Sequence, residues 1–168
     1  MSRERLTRGF LWFSILGWGV GLGAKLFDLI VVATAWGAAP PVSLALMPYG
    51  PHYPINPGNF FQPLSAVMVV GILGALISGW KTPFTYRIWL LAPVIAFLFI
   101  WIFTPTVFWP MIDELYFSGT GKLVRTNAEL IQLVHRWMVW DSFRLILIAI
   151  GFLASVRAIS VPFPRSKS

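Results

Sequence analysis

Four ionisable residues lie inside two long apolar segments: Lys25 and Asp28 in the first, Asp141 and Arg144 in the last. A charge at the centre of a membrane-spanning helix costs roughly 2.5–3.5 kcal/mol on insertion scales, so such charges usually face the protein interior and mark functional sites. A carboxylate there can act as a general base, and a cation beside it can hold an anionic oxygen. We therefore take Asp141 and Asp28 as candidate catalytic bases and Arg144 and Lys25 as candidate substrate-binding cations. The alternative is an ion-pair network that only fixes the register of the helices.

The composition indicates an integral membrane protein, because 57% of the 168 residues are hydrophobic and only 11% are charged. The net charge of +7 could suggest a nucleic-acid partner, but most basic residues flank apolar segments, so membrane topology explains them better. The absence of cysteine excludes thiolate chemistry and Cys-based metal sites. His52 and His135 lack the spacing of a metal motif, so we expect neither a metal nor another cofactor.

Four segments are long enough to cross a hydrocarbon core of roughly 30 Å, which takes about 20 helical residues. They run near 9–36, 63–80, 88–110 and 137–159. We therefore predict an all-α membrane protein, a four-transmembrane-helix bundle that forms one domain over 1–168 in the lipid bilayer.

Basic residues cluster before the first helix, around the link between the second and third, and after the fourth, a pattern that places both termini in the cytoplasm. They are Arg3, Arg5, Arg8, Lys81, Arg87, Arg157, Arg165 and Lys167. We expect a multi-pass protein of the cytoplasmic membrane. Its first apolar segment is too long for the core of a signal peptide, so it should remain as an uncleaved anchor.

The two outer loops are predicted at 37–62 and 111–136. The first is rich in proline and aromatic residues, and we expect it to fold over the outer mouth of the bundle. The second contains LVRTNAELIQLVHRW, whose apolar spacing is helical and should extend the fourth helix outward.

Small residues recur at helical spacing in the first two helices, a pattern that lets membrane helices approach closely. They are Gly17, Gly21, Gly71, Ala75 and Gly79.

The two charged pairs are expected at the same depth of the membrane. A rise of 1.5 Å per residue places Lys25 and Asp28 about 22 and 27 Å above the cytoplasmic edge, and Arg144 and Asp141 about 21 and 25 Å above it. Each pair has i, i+3 spacing, so its members share one helix face. If the first and fourth helices pack together, a neutral ring can form, with Lys25–Asp141 and Asp28–Arg144 as the contacts between helices.

Other polar and aromatic side chains reach the same layer and predict an outward-opening pocket. Thr104 lies on the third helix, while Trp137, Trp140 and His135 lie near the outer end of the fourth. Thr104 and the two tryptophans are candidate substrate-binding residues, and His135 is a candidate acid or base. Alternatively, His135 is simply solvated at the membrane boundary and the tryptophans belong to the interfacial aromatic belt.

The fourth segment, RWMVWDSFRLILIAIGFLASVRAI, resembles the anthrone-oxygenase-like family of small four-helix membrane proteins, most of which lack an assigned function. The matching positions are Arg136, Trp137, Asp141 and Arg144. GWGVGLGAKLFD in the first helix and FFQPLSAVMVVGIL in the second are also similar to that family. Family members often carry Asn where Asp141 stands, and an Asn-x-Pro segment where this chain has Phe103-Thr104-Pro105.

The resemblance implies that some relatives oxidise an anthrone to an anthraquinone with molecular oxygen, without an evident metal or flavin. Such chemistry needs a base for an activated CH₂ group and a cation for the enolate oxygen. Our leading interpretation is a membrane protein with an outward-facing polar pocket, either a cofactor-independent oxygenase or a binder of a small hydrophobic molecule. The alternatives are a non-enzymatic accessory subunit that packs against a membrane-protein partner, and a proton-coupled carrier, which would need a homo-oligomer to form its path.

Overall fold

A computed structural model describes residues 2–49, 53 and 55–164. Within this part of the chain there are four long helices and no strand: α1 (Arg3–Gly37), α2 (Pro57–Gly79), α3 (Phe84–Gly119) and α4 (Asn127–Ser160). Each is long and apolar enough to cross a membrane, which confirms the predicted all-α four-helix architecture and makes the chain a multi-pass membrane protein.

Three residues that carried sequence-based predictions lie outside the described part. They are His52 in the first loop, and Arg165 and Lys167 at the C-terminus.

The helices are longer than their apolar cores because capping residues, rather than hydropathy, set their ends. Hydropathy marks only the part of a helix that lies in lipid, whereas a helix continues until its backbone groups find other partners. α4 begins after Thr126, which forms a capping box with Glu129, so the predicted extension of the fourth helix beyond its apolar segment is confirmed. α3 continues to Gly119, well beyond its expected end near residue 110.

The four helices form a closed square in which α1 and α3 each pack against both α2 and α4. We call the end at which α1 begins, α4 ends and the α2–α3 link lies the terminal end, and the opposite end the loop end. The apolar core consists of three layers of side chains, one at each end of the bundle and one between them. Its largest fully buried side chains are Leu11 and Leu90 at the terminal end, Trp18 in the middle, and Trp36, Phe108, Leu115 and Trp137 at the loop end.

The small residues that recur along α1 and α2 bring the backbones of these two helices into contact. A Cβ atom added to Gly71 would lie 2.5 Å from the backbone nitrogen of Ser14, and one added to Gly17 would lie 2.7 Å from Cγ of Met68. The Ser14 hydroxyl also forms a 2.8 Å hydrogen bond with the hydroxyl of Ser155 in α4. The close approach predicted from the small residues is therefore confirmed, and it fixes the position of α1 between its two neighbours.

Two helices contain a π-helical turn near the loop end. The turn in α1 is Asp28–Ala33, and the turn in α3 is Thr104–Phe108, where Pro105 removes a backbone donor. A π-turn inserts an extra residue into the helix, so it rotates the side chains beyond it, and such turns are frequent at functional sites. Asp28 is the first residue of the π-turn in α1, and Phe108 is the last residue of the π-turn in α3.

The first loop covers the bundle at the loop end, as predicted for its described part. It contains a short 3-10 helix (Val42–Leu46), and its side chains Leu44 and Met47 are almost fully buried against the core. The Ser43 hydroxyl donates a hydrogen bond of 2.6 Å to the carbonyl oxygen of Trp36 at the end of α1. The loop thereby closes the apolar layer that surrounds the intramembrane charges.

Candidate functional site

The four intramembrane charges meet between α1 and α4, and we call them the charged quartet. Lys25 Nζ lies 2.9 Å from Asp141 Oδ2 and also contacts Asp28 on its own helix. Asp141 Oδ1 accepts a 2.5 Å hydrogen bond from the Arg144 guanidinium. The side chains of Lys25 and Asp141 are 3% and 0% exposed, and those of Asp28 and Arg144 are both 15% exposed. The four groups thus form a neutral, buried sequence of ion pairs in the order Asp28, Lys25, Asp141, Arg144.

The predicted contact between Lys25 and Asp141 is confirmed, whereas the predicted contact between Asp28 and Arg144 is wrong. The ion pairs of the described residues include none between these two side chains. The i, i+3 spacing lets each cation reach the carboxylate of its own helix, so Arg144 turns to Asp141. The quartet is consequently an open row with two distinct ends, and not a ring.

Aromatic rings enclose the quartet. Lys25 Nζ lies 5.3 Å from the centre of the Trp137 ring, and the Arg144 guanidinium lies 3.9 Å from the centre of the Phe108 ring. Trp137 meets Trp36 edge to face at 5.0 Å and Phe108 at 5.8 Å. Ring faces attract cations electrostatically, so these walls stabilise both charges while they exclude water.

Two buried donors in this wall have no hydrogen-bond partner among the described residues: Trp137 Nε1 and Arg144 Nε. A buried unpaired donor costs about 1–3 kcal/mol, so both groups favour an additional acceptor. Asp141 Oδ2 is also without an aligned hydrogen bond, although Lys25 Nζ lies within ion-pair distance of it. Within the described residues, Trp137 Nε1 and Arg144 Nε are thus two buried donors for which the protein supplies no acceptor.

The two candidate bases differ in what they can do. Asp141 is fully buried, and Lys25 and Arg144 each engage one of its carboxylate oxygens. Asp28 is partly exposed and contacts only Lys25 through Oδ2, while Oδ1 has no partner among the described side chains. Asp141 thus bridges the two cations, whereas Asp28 is paired with one of them and keeps one carboxylate oxygen unpaired among the described residues.

A cavity of about 320 Å³ opens at the loop end, lined by Tyr49, Tyr53, Asn56, Ile112, Asp113 and Tyr116. Tyr49 also packs against the apolar layer that contains Trp36, Phe108 and Trp137. Burial, with a further contribution from the negative charge of Asp28, raises the pKa of the Tyr49 hydroxyl. Tyr49 therefore belongs to the lining of this cavity and also packs against the apolar layer that contains the rings around the quartet.

Three predicted site residues do not join the quartet. Thr104 is half-buried and donates its hydroxyl to the carbonyl oxygen of Ile100, one turn back in its own helix. Trp140 is 38% exposed and packs on Phe103. His135 is exposed, because it lies two positions before buried Trp137 in α4 and therefore on a different face of the helix. Roles for these residues remain predictions.

Trp36, Phe108 and Tyr49 were not predicted from the sequence, although Trp36 and Phe108 belong to the aromatic wall and Tyr49 packs against it. A Thr-Pro-Thr segment before Phe108 signals an irregular helical turn, and that signal could have drawn attention to α3. Tyr49 gives no comparable signal, because it lies among prolines in a loop whose path depends on tertiary packing.

The fold and the site together define a small multi-pass membrane protein with a buried, charge-neutral site between α1 and α4. Residues 53–154, more than half of the chain, match the family model described as Anthrone oxygenase, so the protein belongs to that family. The matched region contains Asp141, Arg144 and the aromatic wall residues Phe108 and Trp137, whereas Lys25 and Asp28 precede it. No curated protein and no solved structure matches the chain.

Proposed function

We propose that the protein binds a small hydroxyaromatic ketone of the anthrone type and oxidises its activated CH₂ group to a carbonyl with molecular oxygen. The observation that carries this proposal is Asp28, a carboxylate with one uncommitted oxygen that contacts buried Lys25, in the same row of charges as Arg144 and its aromatic wall. Membership in the anthrone oxygenase family supports the reaction class.

Each residue of the quartet has a separate role in the first step, which is deprotonation of the CH₂ group. Asp28 takes one proton from the CH₂ group, and the electron pair left behind spreads onto the ketone oxygen of the ligand. Arg144 and Lys25 stabilise that enolate oxygen, and the rings of Phe108 and Trp137 pack against the flat ligand. Asp141 is a positioning residue, because it fixes both cations.

The remaining steps balance with oxygen as the only oxidant. The carbanion transfers electrons to O₂ and forms a carbon–oxygen bond, and the resulting peroxide takes up a proton. Loss of the second C–H proton with cleavage of the oxygen–oxygen bond leaves the carbonyl and releases water. The CH₂ carbon loses four electrons, and one O₂ gains them, with one oxygen atom in the product and one in water.

We also propose that the ligand reaches the quartet through the tyrosine-lined cavity at the loop end, past Tyr49. The basic residues of the terminal end favour a cytoplasmic position for that end, in which case the cavity opens on the other side of the membrane. The chain has no cysteine, so a Ser2→Cys variant should react with an impermeant thiol reagent only after the membrane is opened.

The test is turnover of anthrone by the purified protein in detergent, followed by oxygen uptake and quinone absorbance. Heat-treated protein gives the rate of spontaneous oxidation. A general base contributes typically 10²–10⁴-fold, so Asp28→Asn should lower the rate at least 100-fold. Glu114→Gln, which removes a carboxylate outside the quartet, should leave the rate unchanged.

Folding of each variant is checked by its thermal transition before rates are compared. If the folded wild type is no faster than the heat-treated sample, or if Asp28→Asn turns over like wild type, the proposal is wrong. In that case a structural role for the quartet, in an accessory subunit that co-purifies with a membrane partner, becomes the better interpretation.

A further inference from the structure

A second cavity lies at the terminal end, far from the quartet and independent of its function. This groove has a volume of about 470 Å³. Its apolar lining is Leu76 and Ile77 of α2 and Trp80 of the link that follows, and its two cations are Arg3 and Lys81. We propose that this groove binds an anionic phospholipid, with the phosphate between Arg3 and Lys81 and an acyl chain along α2.

The two cations line the same groove, and neither forms an ion pair among the described residues. The Arg3 guanidinium donates a 2.9 Å hydrogen bond to the carbonyl oxygen of Ser78 in the last turn of α2. This bond fixes Arg3 beside the groove and leaves its other N–H groups available. Neither Arg3 nor Lys81 forms an ion pair with a carboxylate of the described residues, and nearby Glu4 pairs with Arg8 instead.

The apolar side of the groove favours a lipid over a soluble phosphate. Ile77 is 72% exposed and Trp80 is 53% exposed, so both present apolar surface outward from the bundle. The Arg87 guanidinium lies 4.9 Å from the centre of the Trp80 ring and donates a 3.0 Å hydrogen bond to the Trp80 carbonyl oxygen. Arg87 thus holds Trp80 at this end of the bundle, and tryptophans at the ends of membrane helices commonly lie where headgroup and acyl chain meet.

The inference is tested by native mass spectrometry of the full chain, released from vesicles that contain equal amounts of phosphatidylglycerol and phosphatidylcholine. Wild type should retain phosphatidylglycerol in preference. Each basic residue near an anionic membrane surface contributes about fivefold to binding, so Lys81→Gln should reduce retention about fivefold and Arg3→Gln/Lys81→Gln about 30-fold. The matched control is Lys122→Gln/Arg136→Gln, which removes two exposed charges at the loop end and should retain the lipid.

Lys81 makes no hydrogen bond among the described residues, so the single variant tests the site even if loss of Arg3 disturbs the fold. The proposal is overturned if both double variants lose the lipid equally, or if phosphatidylcholine is retained as well as phosphatidylglycerol. Displacement of the lipid by millimolar inorganic phosphate would also overturn it, because the groove would then recognise a free anion.

Discussion

Removal of Lys25 and Asp141, singly and together, measures how strongly the quartet joins α1 to α4. The atoms Lys25 Nζ and Asp141 Oδ2 are 2.9 Å apart, and an effective dielectric of 20 gives about 6 kcal/mol of attraction at that distance. Desolvation of the two ions offsets much of this gain. Each single variant, Lys25→Met or Asp141→Asn, leaves a buried charge without its partner and should cost about 3–5 kcal/mol. The double variant leaves Asp28 and Arg144, whose charges sum to zero although the two side chains form no ion pair with each other.

We therefore expect a coupling free energy of about 2–3 kcal/mol, so that the double variant is less destabilised than the two single effects combined. The assay is reversible unfolding of the purified protein in mixed micelles with increasing denaturing detergent. The matched control is the pair Arg125 and Glu114, 2.5 Å apart but with side chains 37% and 33% exposed. An exposed pair of this kind should give a coupling below about 1 kcal/mol.

Additive effects at Lys25 and Asp141 would refute the reasoning, because the ion pair would then contribute nothing that depends on both partners. A coupling at the exposed control pair as large as that at the quartet would also refute it, since burial would then have no influence.

Two further predictions concern the packing of α1 and the surroundings of Tyr49. Gly71→Ala should destabilise the bundle by about 1–3 kcal/mol, because the new Cβ would lie 2.5 Å from Ser14 N. In the control variant Gly23→Ala the new Cβ meets nothing within 4 Å, so this change should be neutral or stabilising by up to about 1 kcal/mol. Unfolding in denaturing detergent compares the two variants, and equal effects would contradict the close contact at Gly71. Because burial and Asp28 raise the pKa of Tyr49, its phenol should remain neutral at pH 10, where an ordinary tyrosine is half ionised. The stability that this raised pKa provides is present below pH 10 and is lost as the pH rises through the folded-state value. The 295 nm absorbance of wild type and Tyr49→Phe should coincide up to pH 10, and an excess in wild type would show that Tyr49 ionises normally.

The sequence allowed the membrane helices and the depth of the charges to be predicted, because both follow from composition and helical rise. Lys25 and Asp141 could be paired in advance, since opposite charges at one depth of adjacent helices attract each other. The partner of Arg144 could not be predicted in the same way. An i, i+3 carboxylate on the same helix competes with one across the bundle, and side-chain rotamers decide between them.

The walls of the site depend on backbone irregularities that hydropathy does not reveal. The π-turn at Thr104–Phe108 rotates the end of α3 and places Phe108 against Arg144, and the loop that carries Tyr49 is positioned by its contacts with the core. Our proposal of Asp28, and not Asp141, as the base likewise depends on the ion-pair geometry, because the sequence does not distinguish the two carboxylates.

Proton abstraction by Asp28 is the central claim, and it can be measured without the oxidation that follows. Under anaerobic conditions in D₂O, the wild-type protein should accelerate deuterium uptake at the CH₂ group of anthrone, as followed by NMR. Asp28→Asn should reduce the rate to that of protein-free micelles, while Glu114→Gln should match wild type. Exchange that is equally fast in Asp28→Asn and wild type would contradict the assignment of Asp28 as the base.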